Sequence, residues 1–425
     1  MSTGAPMKEY IPYSKDPLKD TVVVDCTHPS AYQITHHLKD KNRRKLMNLA
    51  LRGDSSTDAV LNAITQHDTK FSRCKYVTCN HFDVDGFLSV WCAIYPDLAK
   101  EHEQLLRECA RIGDFRELRL DEQWQYRALR LVCWLNSVER KEFYRPFESA
   151  ITSAKGEEEG EDKFAYFLRH FGSALLDGNL QSAVEADSEL EYQRVLSEYK
   201  ELHLDTSDVQ QKHAVQQYPL IGMTVVRMKE PGHYYSLFSP TRGSDIVLAI
   251  YSNNRYEVEL KYTTYVDINS RPTFPRVDMH GLTTYLNSIE SVTIQSQFRW
   301  CCDSITDGGP LLRLEPVAGP KLTKAERYGH PYERTIQSSS IHPILFERIL
   351  HSYFAYAFYS QSHSSSTAIA TATATATATI AATATATATA TIAATAERRK
   401  DWNWSDLHAF NKQINWKNWQ PPIDA

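Results

Sequence analysis

His81, Asp83 and Asp85 stand at alternate positions in the run Val77-Thr78-Cys79-Asn80-His81-Phe82-Asp83-Val84-Asp85-Gly86-Phe87-Leu88-Ser89. In an extended segment, residues two apart share a face. The imidazole and two carboxylates could therefore enter one pocket, a donor set that suits Mn²⁺ or Mg²⁺. Gly86 would let the backbone turn tightly, and Phe87 to Ile94 could begin a helix whose N-terminus favours anions. Such a site would hold a metal against a phosphate. A D-x-D-G run also serves as a plain cap of a turn or helix, but the in-phase histidine, preceding strand and following apolar helix favour the metal reading.

The surrounding pattern supplies elements to position these residues. Val22-Val23-Val24 is a β-branched run ending at Asp25, followed by Cys26-Thr27-His28. Gly53 to Asp58 offers a turn and N-cap for a helix from Ala59 to Gln66. A strand over Lys75 to Cys79 leads into the motif, and 3.6-residue periodicity predicts helices over Leu98–Ala110 and Trp124–Phe147. Alternating strands and helices indicate an α/β layer with ligands at the carboxyl ends of its strands. Lys39–Lys45 and Ala154–Asp162 are charged runs expected on the surface. Helical spacing resumes over Phe164–Leu176 and Leu190–Leu202. From about residue 215 the pattern turns to strands, over Ile221–Met228, Asp245–Tyr251 and Tyr256–Ile268, with Ser252-Asn253-Asn254 as a hairpin turn.

The H-x-D-x-D-G-x-x-S pattern of His81 to Ser89 resembles the first motif of the DHH phosphoesterase superfamily, metal-dependent enzymes acting on oligonucleotides, cyclic dinucleotides or polyphosphate. The segments H-F-D-V-D-G-F-L-S, I-G-D-F-R-E-L and T-T-Y-V-D-x-x-S-R-P resemble more closely a domain-of-unknown-function family, over roughly residues 20 to 320. The superfamily resemblance implies a further metal ligand at Asp114, in Ile112-Gly113-Asp114-Phe115, although Gly-Asp after a helix is also an ordinary cap. It implies one or two Mn²⁺ or Mg²⁺ ions on His81, Asp83, Asp85 and Asp114, with Asp83, Asp85 and Asp114 as the catalytic carboxylates. The superfamily's Asp-His-His is absent downstream of Asp114, and Asp278-Met279-His280 matches it only as text. Asp25, at the end of a strand expected beside Lys75–Cys79, is the favoured substitute, ahead of His28.

The resemblance also implies a substrate-binding second domain. Ser270-Arg271 follows a strand, Val277 to Leu282 opens a helix, and Thr306-Asp307-Gly308-Gly309-Pro310 stands for a glycine loop, lacking one glycine and its histidine. Arg271 or Arg276 could grip a phosphate bidentately, and Gly308 and Gly309 could let backbone N–H groups approach it. A surface turn and a structural arginine are the alternative reading of the same residues.

The chain has 425 residues, a net charge of −5, 42% hydrophobic and 11% aromatic residues. That length exceeds one ordinary domain, and the charge argues against a broad nucleic-acid-binding surface. Eight cysteines without a C-x-x-C pair suggest reduced thiols in a cytoplasmic protein. No run is long and apolar enough for a membrane span, and Met1–Asp16 lacks a signal-peptide pattern. The expected fold is α/β, with a parallel-sheet metal-binding domain, a smaller α+β domain and a helical tail. The expected organisation is an extension over 1–20, a DHH-like domain over 21–214, a substrate domain over 215–320, and a helical segment over 321–366. A Thr/Ala tract over 367–396 reads as a low-function insertion, and a Trp-rich tail over 397–425 is expected to pack on the body or bind a partner. The function expected is hydrolysis of a small phosphodiester, nucleotide, short oligonucleotide or phosphoanhydride in a cleft between the two domains, with no membrane involvement. A metal would acidify a bound water and stabilise developing phosphoryl charge, while Arg271 positions the substrate. The alternative is a non-catalytic DHH-like protein that binds a nucleotide or a protein.

Overall fold

A computed structural model describes residues 7–39, 47–143, 160–177, 182–203, 214–319, 322–360 and 397–422. The Thr/Ala tract and most of both charged runs lie outside these residues. The chain divides into two compact units. The first comprises residues 1–197 and 266–270, and the second 198–265 and 271–425. The boundary thus falls near Ser197 rather than at residue 214, and a short piece of the T-T-Y-V-D segment returns to the first unit.

The first unit is built on a four-stranded parallel sheet in the order β1 (Glu9–Tyr10), β4 (Tyr76–Thr78), β2 (Thr21–Val24), β3 (Tyr32–Ile34). Residues 1–20 are therefore not merely an extension, because Glu9–Tyr10 forms the edge strand beside β4. Val22, Val23 and Val24 are fully buried, as expected for a parallel strand covered on both faces. Among the described residues, eight α-helices follow or interleave: α1 (Ser56–Thr65), α2 (Thr69–Arg73), α3 (Val84–Ile94), α4 (Pro96–Glu101), α5 (Glu103–Phe115), α6 (Gln123–Glu142), α7 (Gly160–Asp177) and α8 (Ser182–His203), the last crossing the unit boundary. Ser55 caps α1 with a capping box to Asp58, satisfying backbone N–H groups that the first turn leaves open. The predicted helix over Leu98–Ala110 is in fact two, broken at His102. Helix α3 buries nearly every residue. At its start, the rings of Phe82 and Phe167 stack with centroids 5.0 Å apart, and Phe87 meets Phe171 edge-on at 5.2 Å.

The second unit carries a six-stranded mixed sheet in the order β5-β6-β7-β8-β10-β9. Its strands are β5 (Val215–Tyr218), β6 (Met223–Met228), β7 (Ile246–Tyr251), β8 (Arg255–Leu260), β9 (Phe298–Cys302) and β10 (Leu311–Pro316). Only β6 and β7 run parallel; the other neighbours are antiparallel. Ser252-Asn253-Asn254 makes the three-residue hairpin loop between Tyr251 and Arg255, with Asn253 and Asn254 at φ 63° and 54°, a left-handed conformation that Asn tolerates. The strand predicted to Ile268 stops at Leu260, where a 3-10 turn over Tyr262–Thr264 begins. Among the described residues, six α-helices belong to this unit: α9 (Tyr234–Phe238), α10 (His280–Ile289), α11 (Val292–Gln295), α12 (Lys324–Tyr328), α13 (Pro343–Tyr359) and α14 (Trp404–Gln413). Helix α13 and the tail share one apolar core with the sheet, including Tyr353, Phe354, Phe358, Trp402, Leu407 and Phe410. Trp402 Nε1 donates to the Thr273 carbonyl at 3.0 Å, and Trp416 stacks on Tyr353 with centroids 4.1 Å apart. The substrate domain, helical segment and tail expected from sequence are one packed body. Among the described residues, no helix is long and apolar enough to cross a membrane.

Candidate metal centre

The carboxyl ends of β2, β3 and β4 converge on one buried cluster of acids and imidazoles, all within the first unit. Asp25 follows β2, and its φ of 52° is a left-handed conformation that Asp adopts more readily than most residues. Such backbone outliers concentrate at functional sites. Thr35-His36-His37 follows β3, and His81 follows β4. His36 Nε2 lies 3.3 Å from Asp25 Oδ1, 3.4 Å from Asp114 Oδ2 and 3.8 Å from Asp85 Oδ2. His37 Nε2 is 3.3 Å from Asp25 Oδ1, and His81 Nε2 is 3.3 Å from Asp25 Oδ2. Two groups of potential ligand atoms therefore meet within 4.8 Å: Asp25, His37 and His81, and Asp25, His36 and Asp85. Asp25 belongs to both.

The H-x-D-x-D segment reaches this cluster by a different route from the one its alternation implies. The backbone is not extended through Asp85. Asp83 is the N-cap of α3, with Oδ1 accepting from Gly86 N at 2.7 Å, and Asp85 lies inside the first helical turn. A carboxylate at the N-cap is favoured because it satisfies an open N–H and faces the positive end of the helix. Asp83 is consequently a rim residue, 42% exposed, whose second oxygen touches His81 Nε2 at 3.2 Å. Gly86 is also helical rather than a tight turn. Its importance is steric, since a β-carbon there would stand 3.1 Å from Asp25 Oδ2 and 3.2 Å from both Asp83 Oδ1 and Cys79 Sγ.

Helix α1 completes the frame. Ser56 N and Thr57 N donate to the two oxygens of Asp85 at 2.7 and 2.9 Å, so the open N–H groups of α1 grip that carboxylate. Ser56 Oγ donates to Asp25 Oδ1 at 2.7 Å and accepts from His36 N at 3.2 Å. The Asp54 carbonyl lies 2.8 Å from His36 Nδ1, and Asn80 Oδ1 lies 2.8 Å from His81 Nδ1. With each Nδ1–H donating to those oxygens, Nε2 of both rings is turned to the carboxylates, the orientation a metal-ligating histidine takes. Asp114 arrives from the last turn of α5, which continues to Phe115 and ends at Arg116 in the left-handed conformation. It is not a residue after the helix, as the Gly113-Asp114 pair suggests. Asp114 Oδ2 is buried and makes no hydrogen bond.

The charges in this cluster perturb one another strongly. Burial alone would raise the Asp25 carboxyl, but hydrogen bonds from His36, His37 and His81 hold it well below the usual carboxylate range. Burial, then the Asp25 charge, push Asp85 up to about 7. Burial and Asp85 hold Asp114 well above its usual value. Burial opposes protonation of His36, yet the surrounding Asp25, Asp114 and Asp85 raise it to about 10. His37 is lowered by burial and by the neighbouring His36 charge, while Cys79, Asp83 and Asp25 lift His81 against its burial. Three buried carboxylates around one point require positive charge to be stable. The donor set of oxygens and imidazoles and the preset Nε2 directions are ones that could hold a metal ion.

The structure thus gathers Asp25, His81, Asp85 and Asp114 and leaves Asp83 at the rim. His28 is not part of the cluster: its Nδ1 accepts from Ala31 N at 3.0 Å and its Nε2 faces the Asp16 carbonyl at 3.1 Å, so it braces a loop. Sequence reasoning missed His36 and His37. The available signal was an adjacent His pair after the short run Tyr32–Ile34.

The expected substrate residues are engaged elsewhere. Arg276 is 1% exposed and donates to Thr264 Oγ1 and the Ile305 carbonyl, each at 2.7 Å, and to the carbonyls of Asp307 and Gly308. It is an internal strut, with burial lowering its guanidinium to about 10. Gly308 presents its carbonyl to that strut, and a β-carbon on Gly309 would meet Glu259 Oε1 at 2.7 Å. A carboxylate this close opposes anion binding at the glycine pair. Arg271 pairs with Asp245 at 2.7 Å and donates to the Ser244 carbonyl at 2.9 Å, so its fork is committed to the protein. Arg271, Arg276 and Gly308, expected to meet a phosphate, thus meet protein groups in this structure.

No curated protein and no solved structure matches the chain. A model described as a family of unknown function, DUF6687, matches residues 6–365, a span that includes every residue of the Asp25 cluster. The protein belongs to the DUF6687 family.

Proposed function

We propose that this protein is a Mn²⁺- or Mg²⁺-dependent phosphohydrolase of DHH-like design, acting on a small phosphodiester, nucleotide or phosphoanhydride. The observation that carries the reading is the sharing of Asp25 between two potential ligand groups at the carboxyl ends of three parallel strands. The DHH resemblance calls for an Asp-His-His element, and Asp25 with His36-His37 supplies those side-chain types from two adjacent strands. Ions bound there would supply Lewis acidity toward a phosphoryl group. The chain's own residues do the remaining work. Asp25 and Asp85 provide negative charge, held in place by Ser56 and the start of α1. Asp54 and Asn80 orient His36 and His81. Asp83 both caps α3 and restrains His81 at the solvent side. All eight cysteines are free thiols, which fits a reducing, cytoplasmic setting.

The test is hydrolysis of a panel of dinucleotides, nucleotides and short polyphosphates by metal-free protein with Mn²⁺ added back. The expected result is turnover by the wild type and none by Asp25→Asn. Mn²⁺ binding without hydrolysis of any member would instead favour the non-catalytic nucleotide- or protein-binding reading.

A further inference from the structure

A second donor cluster lies in the second unit and shares no residue with the Asp25 centre. Asp278, His280 and Cys302 bring a carboxylate oxygen, an imidazole nitrogen and a thiol sulfur within 4.8 Å of one another. We propose that Asp278, His280 and Cys302 form a binding site for a thiophilic divalent cation, zinc being the chemical type.

Rigid elements hold the three donors. Asn411 Oδ1 accepts from Asp278 N at 2.7 Å, and Tyr353 Oη donates to the Asp278 carbonyl at 2.6 Å. Asp278 Oδ1 accepts from His280 N at 3.0 Å and also faces His280 Nδ1 at 2.5 Å, so carboxylate and imidazole are already side by side. His280 is the first residue of α10, and Cys302 is the last residue of β9. Helix and strand are fastened by Asn287, whose Nδ2 donates to the Trp300 carbonyl at 3.1 Å and whose Oδ1 accepts from Trp300 N at 2.8 Å. Donors on such supports are placed more reproducibly than donors on loops.

The donor chemistry selects the ion. A thiolate, an imidazole and a carboxylate are the ligand types of tetrahedral zinc, with a fourth position left for water. Thiolate plus carboxylate match the charge of a dication, whereas Mg²⁺ prefers an all-oxygen octahedron and gains little from sulfur. The side chains of Asp278 and His280 are 48% and 68% exposed, so an ion can arrive from solvent. The two clusters therefore divide by softness: oxygen and nitrogen at Asp25, and sulfur as well at Cys302.

The experiment titrates chelator-treated full-length protein with Co²⁺ as a spectroscopic substitute for Zn²⁺. The wild type is expected to develop a thiolate-to-cobalt charge-transfer band that one equivalent of Zn²⁺ bleaches. Cys302→Ser should lose the band, whereas Cys301→Ser and Cys79→Ala should keep it. Cys79 is the needed control because its Sγ lies 3.7 Å from His81 Nδ1 in the first unit. His280→Ala, a change at an exposed side chain, should move the titration midpoint at least tenfold. Absence of the band in the wild type, its survival in Cys302→Ser, or its loss in Cys79→Ala would each overturn the assignment.

Discussion

Gly113 presses against Val84 so closely that a β-carbon on the glycine would stand 2.5 Å from Val84 Cβ. This contact seats α5 on the first turn of α3, between the two helices that carry Asp114 and Asp85. The glycine therefore determines whether the carboxylates of those helices can meet around His36.

Gly113→Ala should force the helices apart, because neither a backbone nor a β-carbon can rotate away. The expected cost is about 1–3 kcal/mol of stability, together with weaker Mn²⁺ binding as Asp114 is displaced. Urea denaturation and calorimetric Mn²⁺ titration measure the two effects. A variant with wild-type values in both would show that the contact relaxes without consequence.

Asp25→Asn and Asp83→Asn should separate the shared ligand from the helix cap. Asp25 touches all three histidines, so its loss should abolish Mn²⁺ binding while the secondary structure persists. Asp83→Asn keeps an oxygen able to cap α3 and should weaken binding by less than about tenfold, or about 1.4 kcal/mol. Equal loss in both variants would return Asp83 to the centre of the site.

Arg276→Ala should act on stability rather than on metal binding. Removing a buried guanidinium strands carbonyl acceptors at Ile305, Asp307 and Gly308, each costing about 1–3 kcal/mol when unsatisfied. The expected outcome is a large fall in the melting temperature of the protein, with Mn²⁺ affinity unchanged in the fraction that folds. Arg271→Ala should be milder, since Arg271 is 22% exposed and water can replace part of its pairing with Asp245.

His351 should make the second unit acid-sensitive. Burial lowers this imidazole to about 4, against about 6.5 in an unfolded chain. Below pH 6.5 the unfolded chain takes a proton that the folded one refuses, so stability falls as the pH drops from about 6.5 toward 4. At pH 5 this single group accounts for about 2 kcal/mol relative to neutral pH. His351→Leu should flatten that part of the urea-midpoint profile between pH 7.5 and 5. An unchanged slope would assign the acid sensitivity to other groups.

The sequence by itself determined the parallel strand Val22–Val24, the strand-to-helix passage through His81 and Asp85, the Ser252-Asn253-Asn254 hairpin and the α/β class. Each follows from local rules, namely β-branched runs, capping residues and apolar spacing. It also marked Asp25, because an acid ending a buried strand projects to the sheet edge where ligands sit. Tertiary structure decided the rest of the centre. His36 and His37 lie more than forty residues before His81 and join it only because β3 and β4 flank β2; no local period encodes that neighbourhood. Asp83 and Asp85 alternate in sequence like a strand, yet Asp83 caps α3 while Asp85 is wound into its first turn, and the open N–H groups of α1 then claim Asp85. Arg271 and Arg276 illustrate the same gap. A guanidinium has the right shape for phosphate and for a ring of carbonyls alike, and only burial against Asp245 or the 305–308 loop determines which it meets.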